Sequence, residues 1–113
     1  MAAYSTFVEA IVEFRRWQIR RGWIKRDHEP TDVRYIDTKD ACDQARTAAR
    51  SALLGLQLLP AHESALNAAR DSLAATIRIE EAADTVQLNQ LSEDAREAAE
   101  TFVGVAARLE RPS

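Results

Sequence analysis

Alanine fills 21 of the 113 positions, whereas glycine and proline take three each. That ratio narrows the possible folds more than any other property of the chain. Alanine has the highest helix propensity because it loses no side-chain entropy in a helix. Sandwiches and barrels need many turns, and six turn-forming residues cannot supply them. Only 31 apolar residues carry a side chain larger than a methyl group. Alanine on a helix face lets a second helix approach closely, so the composition predicts tight helix–helix contact around a thin core. A thin core leaves room for an apolar stripe to be covered by another copy of the chain or by a partner.

The length suits a single domain over residues 1–113. The longest uncharged run, Ser51 to Ala61, is too short to span a bilayer. A lone cysteine excludes an internal disulfide. Met1-Ala2-Ala3 does not open a secretory signal peptide. Together these readings place the protein in the cytoplasm.

Apolar periodicity divides the chain into helices. Tyr4, Phe7, Val8, Ile11 and Phe14 recur at helical spacing, which predicts a first helix from about Ala3 to Arg26. Beyond Phe14 the stripe lands on Arg15, Gln18, Gly22 and Lys25 and fails. Pro30 restricts Glu29, so Asp27 to Pro30 reads as a loop. A second helix follows from about Asp32 to Leu56, capped by Thr31 or Asp32. Val33 and Ile36 open its apolar face, and Ala41, Ala45, Ala48, Ala52 and Leu56 continue it. Pro60 suits the first turn of a third helix reaching about Glu81, with Leu66, Ala69, Leu73 and Ile77 on its stripe. One helix from there to Glu110 would be about 75 Å long, too long for a compact domain of this size. Ser92, followed by Glu93 and Asp94, is the preferred start of the last helix; Asp84-x-x-Gln87 is the rival, as a capping box. Leu91, Ala95, Ala98, Phe102, Val105 and Leu109 make its stripe, and Gly104 marks a close backbone approach. The expected fold is an all-α, antiparallel up-down bundle of four helices, or three with a broken last element.

Two short motifs add a resemblance. Ala3-Tyr4-Ser5-Thr6-Phe7 followed by a basic stretch, and Leu56-Gln57-Leu58-Leu59-Pro60 opening a helix, resemble small uncharacterised helical proteins of actinobacteria. In many of those a membrane-spanning helix precedes a motif similar to Ala3-Tyr4-x-x-Phe7. No such helix precedes it here, and the resemblance implies no active site.

Catalytic and metal chemistry find little support. A di-iron bundle needs Glu-x-x-His pairs, but Lys25 and Leu59 stand three residues before His28 and His62. Asp27-His28-Glu29 offers three adjacent ligand types that do not readily converge on one ion. Cys42 sits among Asp40 and Asp43, which would suppress the reactive thiolate. No glycine-rich phosphate loop and no Gly-x-Ser-x-Gly elbow occurs. The reading is therefore no enzyme, with no catalytic, cofactor or metal residues.

One segment stands apart. Residues Phe14 to Arg26 carry six cations and no anion, interleaved with two tryptophans. Residues 1–26 carry a net charge of +4 and the remainder −7. Four roles compete for this segment. Its arginines could bond acids of the second helix such as Asp37, Asp40 and Asp43. It could dock an acidic protein face, since Trp and Arg anchor interfaces. It could contact an anionic membrane surface, or nucleic acid by phosphate contact and base stacking. The expectation is a non-enzymatic interaction module that self-associates and docks a protein partner. Its binding residues are Arg15, Arg16, Trp17, Arg20, Arg21, Trp23, Lys25 and Arg26. The alternative is a nucleic-acid-binding or membrane-surface accessory protein using the same residues.

Overall fold

The computed structural model describes residues 2–27, 31–59 and 62–110. They form α1 (Ala2–Asp27), α2 (Val33–Leu58), α3 (Glu63–Ile77), a 3₁₀ turn (Arg78–Glu81) and α4 (Thr85–Glu110), with no strand among them. Consecutive helices run antiparallel. The start of α1 meets the end of α4 through Tyr4 and Phe102, and the end of α1 meets the start of α4 through Gly22 and Leu88. The all-α bundle is thus present with four helices. The expected start at Pro60 and the tail Arg111 to Ser113 lie outside the described residues, as do His28 to Pro30 of the first loop.

α1 and α3 each touch all three other helices, whereas the backbones of α2 and α4 do not meet. The cause is side-chain size. The inner face of α3 is built mainly of small buried residues, Ala65, Ala68, Ala69, Ser72 and Thr76, with Leu73 the one large side chain buried among them. α1 can therefore approach α3 across the bundle, and its own Phe7, Ile11 and Phe14 fill the centre. Phe102 packs edge-on against Phe7 and Tyr4, with ring centres 4.9 and 6.0 Å apart. A second, smaller apolar cluster of Ile79, Leu88 and Ala95 lies where α1 meets the 3₁₀ turn and the first half of α4.

Four details depart from the sequence reading. The last helix begins at Thr85, so the rival start is the real one. The Gln87 amide donates to Asp84 Oδ1 at 2.8 Å and the Ala83 amide donates to Gln87 Oε1 at 2.9 Å, a reciprocal capping arrangement worth about 1 kcal/mol. Ser92 is instead buried inside α4, its hydroxyl donating to the Leu88 carbonyl.

The apolar face of α2 is also rotated from expectation. Thr38, Cys42, Ala45, Ala49 and Leu56 are buried, while Val33 and Ile36 are 69% and 45% exposed and Ala48 faces solvent. Gly104 meets nothing, so it marks no close approach. Gly22 does: a Cβ there would lie 2.7 Å from Leu88 Cδ1. Finally, the α1 stripe does not fail after Phe14. It continues through Gln18, 2% exposed, and Gly22, because a hydrogen-bonded amide and a glycine can both occupy an inner face.

Candidate functional site

The basic half of α1 has an inner side and an outer side. Gln18 lies on the inner side, and its Nε2 donates to the Thr76 and Ile77 carbonyls at 3.2 and 3.4 Å. Those carbonyls end α3, so α1 supplies donors to a helix terminus that needs them. Arg15 Nε donates to the Ser92 carbonyl at 3.1 Å. Arg21 holds Glu80 of the 3₁₀ turn at 3.5 Å, and Arg46 of α2 holds the same carboxylate oxygen at 2.6 Å. Arg26 Nη1 donates to the Ala83 carbonyl at 3.2 Å. Three of the six cations thus tie α1 to the far side of the molecule.

These partners are not the ones the sequence suggested. Among the described residues no cation of the segment bonds Asp37, Asp40 or Asp43, all of which face solvent. Glu80 takes that role because the 3₁₀ turn folds it against α1 and α2. The sequence reading did not single out Glu80. Its separation of 59 residues from Arg21 left no local signal.

The outer side carries Arg16, Arg20 and Trp23 at steps of four and three, one face of a helix. Trp23 is 43% exposed, and it is the one exposed aromatic side chain among the described residues. Arg16 bonds only its helical neighbour Glu13, at 3.1 Å. Trp17 is half-buried at the edge of this face. Its Nε1 donates to Glu13 at 2.9 Å, and the Arg16 and Arg20 guanidinium carbons stand 5.8 and 5.5 Å from its ring centre. Stacking on Trp17 orders both arginines without neutralising them. Lys25 is exposed and has no partner among the described residues. The eight residues named from sequence therefore divide. Arg16, Trp17, Arg20 and Trp23 form an accessible patch, Arg15 and Arg21 bind inward, and Lys25 and Arg26 edge a cleft.

No other part of the described chain assembles reactive groups. Among the described residues no three His, Cys, Asp or Glu side chains are grouped as metal ligands. Burial pushes the Cys42 thiol up to about 11, with Asp43 adding to the rise and Arg21 and Arg46 opposing it. Burial therefore outweighs the neighbouring acids named from sequence, and Cys42 stays a protonated thiol at neutral pH. On α4, hydrogen bonding to Arg96 holds the Glu93 carboxyl below its ordinary range and raises the Arg96 guanidinium. That pair is exposed and lies within one helix.

These features define a class: a small all-α bundle with a basic, tryptophan-bearing edge. Over residues 1–110 the chain matches the model of the family described as KilB plasmid transfer protein, and it belongs to that family. No curated protein and no solved structure matches it. The family description says nothing of actinobacteria, so it does not bear on the resemblance to small helical actinobacterial proteins. Among the described residues no helix is long and apolar enough to cross a membrane.

Proposed function

We propose that the chain is a non-catalytic, cytoplasmic helical module of plasmid transfer that docks a protein partner through the outer face of α1. The observation that carries this reading is the grouping of Trp23, Arg16 and Arg20 on one exposed face. An exposed indole beside ordered guanidinium groups is the composition of an interface anchor. The family description supplies the process; the partner would be another protein of the same transfer system, with an acidic face toward these arginines. Self-association belongs to the same proposal. Val12 and Val103 are both exposed and line one groove between α1 and α4, a surface a second copy could cover.

Pairwise binding against the other proteins of a plasmid carrying this gene tests the docking surface. Trp23→Ala should leave the fold intact and weaken the complex by about 2 kcal/mol or more. Replacing Arg16 and Arg20 with Gln should slow association, most at low salt. Binding that both variants leave unchanged would move the docking site elsewhere. Tight, salt-sensitive binding to DNA, RNA or anionic vesicles, lost in the Arg16/Arg20 variant, would favour the polyanion alternative. Light scattering over a wide concentration range should show mass rising above the monomer, and Val12→Glu should abolish the rise. A constant monomer mass would remove self-association from the proposal.

A further inference from the structure

The groove between α1 and α4 extends beyond Val12 and Val103, and its charge is polarised. Two adjoining hollows share Val8 and Val103 in their walls, so one furrow runs along both helices, from Ser5 and Ala107 to Arg15 and Ala95. Its centre is apolar, with Val12 52% and Val103 45% exposed. Four charged side chains line it: Glu9 and Arg15 on α1, Arg96 and Glu100 on α4. Along α1 the acid precedes the base, and along α4 the base precedes the acid. The two helices run antiparallel, with Phe7 level with Phe102 and Gly22 level with Leu88. Both acids therefore lie toward one end of the furrow and both bases toward the other.

Within one chain this pattern is only half neutralised. Arg96 bonds Glu93 and Glu100 of its own helix. Glu9 is exposed and forms no ion pair among the described residues. Arg15 gives its Nε to the Ser92 carbonyl and forms no ion pair among them either. Glu9 and Arg15 stand three residues before and three residues after Val12, the more exposed of the two valines. That symmetry decides what fits the furrow. A two-fold axis through Val12 lays a second α1 antiparallel on the first and sets residue 9 of each copy opposite residue 15 of the other. The same rotation brings the acidic end of each α4 to the basic end of its counterpart. A patch complementary to itself under a two-fold rotation is what an isologous dimer requires. An apolar centre with a charged rim is also ordinary interface anatomy.

We propose that this furrow is the two-fold interface of a homodimer, with Val12 of the two copies meeting at the axis and Glu9 of each copy bonding Arg15 of the other. The inference rests on the self-association proposed above and gives it a geometry. It uses none of the residues of the Arg16, Arg20 and Trp23 face.

Sedimentation equilibrium of the full chain tests it. Mass should rise with concentration and stop at two chains. Glu9→Arg should weaken association about tenfold or more, because the change enters the interface twice and sets like charges opposite each other. Arg15→Glu should do the same. Mixing the two variants should restore association, since one copy then offers two cations where the other offers two anions. If Arg15→Glu does not fold, Val12→Cys reports the axis instead. That chain should oxidise to a disulfide-linked dimer, which needs Cα atoms within about 7 Å, and Val103→Cys should not; the native Cys42 is buried. A monomer at every concentration would remove self-association and this interface together. A dimer indifferent to Glu9→Arg would keep self-association and overturn this interface alone. So would folded variants that associate no better mixed than apart, or a Val12→Cys chain that does not cross-link. Growth beyond two chains would mean a head-to-tail contact and would also overturn it.

Discussion

Phe102→Ala should destabilise the fold by about 3–5 kcal/mol, measured by denaturant unfolding. Phe102 is fully buried on α4 and meets Phe7 and Tyr4 of α1 edge-to-face. Truncation removes its transfer energy and the aromatic contacts, and it opens a cavity. The surroundings are poorly placed to collapse into that cavity. The core cluster of Phe102 is rich in alanine, with Ala45, Ala49, Ala65, Ala68, Ala69 and Ala106, whose methyl groups cannot extend to fill space. A domain of this size has about 5–15 kcal/mol of stability in all, so one substitution could consume much of it. Phe102→Leu, which keeps most of the volume, should cost clearly less and leave a measurable transition. A loss below about 1 kcal/mol for the alanine variant would place the ring at the surface of the isolated chain.

That residue was also the easiest to find from sequence. Its stripe carries large side chains at Leu88, Leu91, Val105 and Leu109 that mark the inner side of α4, although Ser92 and Ala106 are buried beside them while Leu91 and Val105 are half-buried. α2 is the opposite case. Alanines at 41, 45, 48, 49 and 52 permit two stripes offset by a residue, and a methyl group is too small to signal which one packs. The two stripes share Ala45 and Leu56; the buried one takes Thr38, Cys42 and Ala49 in place of Ala41, Ala48 and Ala52, and it leaves Val33 and Ile36 in solvent. The helix start at Asp84 had a rival for a local reason. Ser followed by two acids looks like a cap, and only the reciprocal bonds between Asp84, Ala83 and Gln87 settle the matter.

The candidate site was legible as a segment and illegible as a surface. Composition alone marks residues Phe14 to Arg26. Which cations turn inward depends on partners that arrive from far along the chain: Glu80, the Ser92 carbonyl and the Ala83 carbonyl. Gln18 shows the same limit most sharply. On an apolar stripe it reads as an interruption, yet the end of α3 offers it two carbonyls, and burial follows. The split into an outer docking face and an inner cleft is therefore a tertiary property.

Leu88→Ala should cost about 2–5 kcal/mol, and the larger interest is its coupling to Gly22. Leu88 is fully buried and anchors the start of α4 on α1. A methyl group at position 22 would lie 2.7 and 2.9 Å from its two Cδ atoms. In the native chain, Gly22→Ala gains about 1 kcal/mol of helix propensity and forces a packed leucine to move, at about 1–3 kcal/mol. The clash should prevail, giving a small net loss. In the Leu88→Ala background the leucine branches are gone. The new methyl then enters the cavity, and only the propensity gain remains, so Gly22→Ala should stabilise by about 1 kcal/mol. The double variant should exceed the sum of the single effects by about 1–3 kcal/mol, a coupling typical of residues in direct contact. Urea unfolding of the four proteins in the cycle measures it. Additive effects would mean that α1 and α4 do not meet at Gly22. In that case the inner face of α1 beside Gln18 would be built differently from the one described.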